Sequence, residues 1–76
     1  MKINKLDLHG MSHYHINSHV DNFIWECMKK NVGSADIITG NSERMQDLVI
    51  DIIKDYNLEY LVGDHYNRGY IKIILK

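Results

Sequence analysis

"LDLHG", residues 6–10, alternates leucine with a polar side chain and then ends in glycine. In an extended chain Leu6 and Leu8 point to one side while Asp7 and His9 point to the other. Together with Lys5, the alternation predicts a short strand with one wet face. Just beyond it, Ser12 is a good helix N-cap, and Met11 and Ile16 are spaced as a hydrophobic staple. The stretch therefore reads as the first strand-to-helix turn of the fold.

Working outward, Ile16, Val20, Phe23, Ile24, Cys27 and Met28 recur at helical spacing. Lys29 and Lys30 suit the C-terminal end of that helix's dipole, and "NVGS", residues 31–34, stops it. "ADIITG", residues 35–40, reads as a second strand. Asn41 or Ser42 caps a second helix, with Glu43 in its first turn and an apolar stripe of Met45, Leu48, Val49, Ile52, Ile53 and Tyr56. "LEYLVGD" (58–64) and "GYIKIILK" (69–76) read as two further strands, and "GDHYNRG" (63–69) makes an antiparallel hairpin between them.

The resulting order, β-α-β-α-β-β, predicts an α/β chain built as an α+β two-layer sandwich. Its four-stranded mixed sheet is expected to carry both helices on one face, with the first three strands running parallel through right-handed crossovers. Each helix has one apolar stripe, as that arrangement needs.

Seventy-six residues allow one domain, spanning 1–76, with a core near the lower limit for folding alone. Apolar content of 45% and charged content of 25% exclude a disordered chain. No apolar run approaches the roughly 20 residues that span a bilayer. The start, "MKINKLDLHG", is basic but lacks an apolar core for export, and a lone Cys27 suits a reducing compartment. A cytoplasmic, intracellular location is expected, with no membrane partner. Cys27 itself falls on the apolar stripe and reads as a core residue.

Net charge of −1 gives no bulk electrostatic footprint for nucleic acid. Residues 43–59 carry five acidic and two basic side chains, while the rest carries seven basic and five acidic. Any anion-binding surface must then be local. The expected sheet offers such a place beyond the C-terminal ends of its parallel strands. Asp7, His9 and Gly10 collect there after the first strand, and Thr39, Gly40, Asn41 and Ser42 after the second. Both helix N-termini are expected to open there as well, presenting unpaired amides to a phosphate.

"LDLHG" before one helix, "IITG" opening a second, and a hairpin ending in "GYIKIIL" together resemble a Smr (small MutS-related) domain over essentially the whole chain. Members carry an L-D-x-H-G motif and a later T-G-x-G or H-G-x-G motif. The resemblance implies a β-α-β-α-β-β sandwich similar to the C-terminal domain of bacterial translation initiation factor 3. It also implies nicking or cleavage of DNA or RNA, or binding alone. It places Asp7 and His9 on the first motif, and Thr39 and Gly40 on the second. The second motif departs from the pattern: the chain reads "TGNS", with Ser42 where another glycine is expected. Glycine is useful there if the backbone needs positive φ or a close approach.

Phosphodiester cleavage needs a base, an acid for the leaving oxygen and positive character for the transition state. The leading expectation is an endonuclease with His9 as acid/base and Asp7 as its orienter or a ligand for a divalent cation such as Mg²⁺ or Mn²⁺. Gly10, His13, Thr39, Gly40, Asn41, Ser42, Arg44 and Arg68 are the candidate phosphate contacts. Arg68 offers a guanidinium fork, and Tyr66 beside it a ring on which a base can stack. The alternatives are a solvent-facing Asp7 and a His9 that merely ties down the turn, giving a non-catalytic nucleic-acid-binding module. His15 and His19, four apart, have metal-ligand spacing but no evident further ligand. Trp25 lies opposite the centre of its helix's stripe, where it would serve a dimer or a protein partner.

Overall fold

The computed structural model describes residues 4–64 and 66–75. Four strands and two α-helices appear in the expected order: β1 (Lys5–Asp7), α1 (Ile16–Lys29), β2 (Ser34–Ile38), α2 (Glu43–Asp55), β3 (Glu59–Val62) and β4 (Tyr70–Ile74). His65, the single histidine of the hairpin, lies outside the described residues.

The sheet order is β1-β2-β4-β3. β1 pairs parallel with β2, and β4 pairs antiparallel with both β2 and β3. The first three strands thus share one direction, but β3 does not lie beside β2. β4 is inserted between them, because the hairpin over residues 63–69 keeps it against β3 and its two fully buried isoleucines, Ile71 and Ile73, suit a central position. The edges fall to β1 and β3, whose exposed Lys5, Asp7 and Glu59 discourage further strand pairing.

Register shows why both helices cover one face. Leu6, Ile37, Ile71 and Val62 form one cross-strand row, and Ala35, Ile73 and Tyr60 form the next. These side chains meet Ile16, Val20, Ile24 and Cys27 of α1 and Met45, Val49 and Ile53 of α2 in one hydrophobic cluster. The opposite face is open. Lys5, Asp36 and Lys72 make a row across it, with Lys72 Nζ 3.1 Å from Asp36 Oδ1. Between the helices, Tyr56 donates its hydroxyl to Asp21 Oδ1 at 3.0 Å.

The helix ends follow the sequence with one difference. Ser42 caps α2, accepting the Met45 amide at 3.2 Å. Ser12 also acts as a cap, but of a 3₁₀ turn, His13–His15, rather than of α1 itself. That turn takes up the residues needed to bring fully buried Ile16 onto the core, so α1 begins three residues later than its cap suggested. Both helices end on an asparagine in the left-handed region, Asn31 (φ 61°) and Asn57 (φ 59°). After α1, Asn31 N–H reaches Met28 O and Val32 N–H reaches Cys27 O; after α2, Asn57 and Leu58 repeat the pattern on Lys54 and Ile53. These are Schellman closures with asparagine in the usual glycine position.

Two outcomes follow from this packing. Asn57→Ala lowers unfolding free energy by up to about 1 kcal/mol, because alanine lacks the short polar side chain that lets asparagine tolerate the left-handed region, whereas Asn57→Gly does not; urea denaturation measures both. Cys27 is buried, and burial pushes its thiol up, with Lys30 opposing and Glu26 adding to the effect. A thiol reagent at neutral pH therefore modifies it only as the domain unfolds, and rapid modification of folded protein contradicts the assignment.

Candidate phosphate-binding site

The turn after β1 is built by Asp7. Its Oδ1 accepts the main-chain amide of His9 at 2.9 Å, and Met11 N–H closes the turn on Leu8 O at 2.9 Å. This is an Asx turn, the use to which a short carboxylate before a glycine is well suited. Leu8 N–H continues the sheet to Ile38 O at 2.8 Å, while Leu8 itself is fully buried. The strand thus anchors the turn from one side, and Asp7 and His9 stay exposed on the other. Asp7 holds His9 through its backbone; among the described residues, no hydrogen bond joins the carboxylate to the imidazole.

The second half comes from the end of β2. Thr39 and Gly40 both donate their amides to the carbonyl oxygen of Gly69, each at 2.9 Å. Thr39 is 3% exposed, and its hydroxyl is 2.8 Å from Gly40 O and 3.3 Å from Gly69 O. From α2, Gln46 Nε2 donates to Arg68 O at 2.6 Å, with Gly40 O at 3.4 Å. The ends of β2, α2 and the β3–β4 hairpin are therefore tied at one point. The His9 ring is brought to the same point: a Cβ at residue 40 would stand 3.1 Å from its Cδ2.

Gly40 has φ +72°, so a side chain there would be both strained and crowded. Ser42, at the position where the resemblance led us to expect a second glycine, has φ −77° and ψ 114°, an ordinary extended backbone for any residue. The glycine that geometry requires is present, and the one that is replaced is not needed by this backbone.

The hairpin loop is organised by Asp64. Its Oδ1 accepts the amides of Tyr66 (2.8 Å) and Asn67 (2.7 Å), its own amide reaches Asn67 O (2.8 Å), and Oδ2 accepts the Tyr70 hydroxyl (3.1 Å). The two main-chain donors hold its carboxyl below the usual range. Burial, and then Asp64, push the Tyr70 phenol up. Asn67 Oδ1 accepts the Gly69 amide at 2.9 Å, completing the loop. At its base, a Cβ on Gly63 would lie 2.5 Å from Arg68 Cα, so this position also admits only glycine.

Of the expected site residues, the His9 ring stands where a side chain on Gly40 would crowd it, and the main chain of Arg68 is linked to that of Gly40 through Gln46. Gly10 and His13 are exposed in the turns after β1, and Asn41, Ser42 and Arg44 are exposed around the start of α2. Thr39 faces inward. Gln46, Asp64, Asn67 and Gly69 were not singled out from sequence. Asp64 two residues before Tyr66 is a readable Asx signal; Gln46 and Gly69 have none, since their partners lie 22 and 30 residues away.

Among the described residues no group of three or more His, Cys, Asp or Glu side chains could hold a metal ion, and this includes Asp7, His15 and His19. Trp25 is 61% exposed towards the C-terminal end of α1. No helix is long and apolar enough to cross a membrane.

The sequence profile of the Smr domain matches residues 6–72. In fold, the chain is similar to the SMR domain of NEDD4-binding protein 2, known from a solution structure. The TM-score is 0.59 at 23% identity, covering all 100% of this chain and 88% of that one. No curated protein matches it in sequence. The profile spans both strand-end loops and most of the closing hairpin, and on that extent the chain belongs to the Smr domain family.

Proposed function

We propose that this domain acts on nucleic acid, holding a phosphodiester where β1, β2 and the hairpin meet and cleaving it with His9 as acid/base. Smr domains are generally nucleic-acid-related, and the observation that carries the proposal here is the exposed His9 imidazole seated against Gly40. Histidine is suited to either proton transfer near neutral pH. Asp7 positions it by fixing the main chain of the turn. The amides at the start of α2 and the Ser42 hydroxyl face a phosphate, and Arg68 supplies the charge. Glu43 occupies the same first turn and partly answers the helix dipole, so Arg68 is the stronger of the two positive elements. Thr39 and Gly69 shape the cradle from behind it.

A second reading, binding without cleavage, is favoured by one specific feature. Asp7 spends an oxygen on the His9 main-chain amide, and among the described residues no hydrogen bond joins its carboxylate to the imidazole. The two readings part on turnover.

The assay is cleavage and binding of structured, single-stranded and duplex DNA and RNA by purified wild type and variants. His9→Ala lowers the cleavage rate by about 10²- to 10⁴-fold, the usual contribution of a positioned acid/base, while folding is retained. Asp7→Asn keeps an acceptor for the His9 amide and retains most of the activity, whereas Asp7→Ala loses about tenfold, the order of one hydrogen bond. Equal residual activity in all of these ends the catalytic assignment and leaves binding alone. The two halves of "TGNS" separate in the same way. Gly40→Ala costs about 1–2 kcal/mol of stability and displaces His9, while Ser42→Gly costs only a few tenths; thermal melts and the cleavage assay together check both.

A further inference from the structure

Two tyrosines on the loops around this site are almost wholly exposed: Tyr14 at 89% and Tyr66 at 94%. Neither is on a floppy run of chain by its bonding. Tyr14 N–H donates to Ser12 Oγ at 3.2 Å, and Tyr66 N–H donates to Asp64 Oδ1 at 2.8 Å. In both, the side chain two residues earlier fixes the main chain, and the ring is held outward. Tyr14 also meets His15 edge-to-face at 5.4 Å between centroids. The two rings stand on the two loops that reach Gly40, one through the His9 ring and one through the Gly69 carbonyl. Tyr14 follows the Asp7–Gly10 turn that carries His9, and Tyr66 is in the loop whose Gly69 carbonyl takes the Thr39 and Gly40 amides.

Charge decides what such rings are for. A duplex hides its base faces and is gripped chiefly through phosphates, with affinity that rises with the number of Lys and Arg contacts. This chain has a net charge of −1, and of the candidate contacts only Arg44 and Arg68 carry a permanent positive charge. An unpaired strand exposes the faces of its bases, and stacking on a tyrosine supplies affinity that needs no charge.

We infer that the substrate of this site is a single-stranded stretch of nucleic acid, its bases on either side of the bound phosphate stacking on Tyr14 and Tyr66. This rests on the nucleic-acid reading above and adds the class of strand and the residues that select it. Stacking tolerates any base, so selection is for unpaired structure over sequence.

The test is fluorescence anisotropy with short labelled single strands of mixed sequence, DNA and RNA, against blunt duplexes of the same sequence, at low and raised salt. Single strands bind more tightly than duplexes and with a shallow salt dependence. Tyr14→Ala and Tyr66→Ala each weaken single-strand binding by about 5- to 150-fold, and Tyr14→Phe and Tyr66→Phe restore it, since phenylalanine keeps the stacking face. Because both rings are exposed, the variants retain the wild-type far-ultraviolet circular dichroism. Duplex binding as tight as single-strand binding, or alanine variants that bind like wild type, overturns the inference. If in that case Arg68→Ala still loses duplex affinity, the nucleic-acid reading stands without it. Absence of binding to every strand at low salt overturns both.

Discussion

One carbonyl oxygen holds the site together. Gly69 O accepts the amides of Thr39 and Gly40, joining the end of β2 to the beginning of β4 where the two strands run in opposite directions. The bond is possible only because β4 lies between β2 and β3. With β4 at the edge instead, the hairpin loop would hang away from His9 and carry Arg68 and Tyr66 with it. Gln46 reinforces the junction from α2, and the Gly40 carbonyl receives the Thr39 hydroxyl. Strand order, rather than any single side chain, thus decides that two distant motifs share one place.

The two glycine-like positions of "TGNS" behave differently for a backbone reason. Gly40 combines a positive φ with a Cβ position that the His9 ring would crowd, so both its conformation and its lack of a side chain are used. Ser42 is extended and caps α2. A serine there offers a better cap than glycine at no conformational cost. The departure from the family pattern is therefore local helix chemistry, and it leaves the contact between the two motifs in place.

Electrostatics gives the surface its character. The open face of the sheet balances Lys5 and Lys72 against Asp36, and α2 is acidic, so no broad positive field covers the molecule. Partly exposed ion pairs of this kind stabilise a fold by less than about 1 kcal/mol each. Stability comes instead from the apolar rows between sheet and helices, where nine side chains, among them Ile16, Ile37, Ile53 and Ile71, are fully buried. Recognition in turn rests on a few contacts and on the exposed rings, which suits a small, nearly neutral domain.

Much of this was legible in the sequence because it depends on near neighbours. Alternation in "LDLHG" and the 3.6-residue stripes in 16–28 and 45–56 predict the strands and helices, since burial on one face imposes those periods on any chain. Ser42 as a cap and Asp7, His9 and Gly40 as strand-end residues follow from the same local rules. The tertiary structure decided what depends on distant pairs. It inserted β4 into the sheet, placed a 3₁₀ turn before α1, turned Thr39 inward, and brought Gln46 and Gly69 to a loop from 6 to 30 residues away in sequence. Those outcomes are set by register and by the need to satisfy buried amides across strands, and neither leaves a periodic mark on the chain.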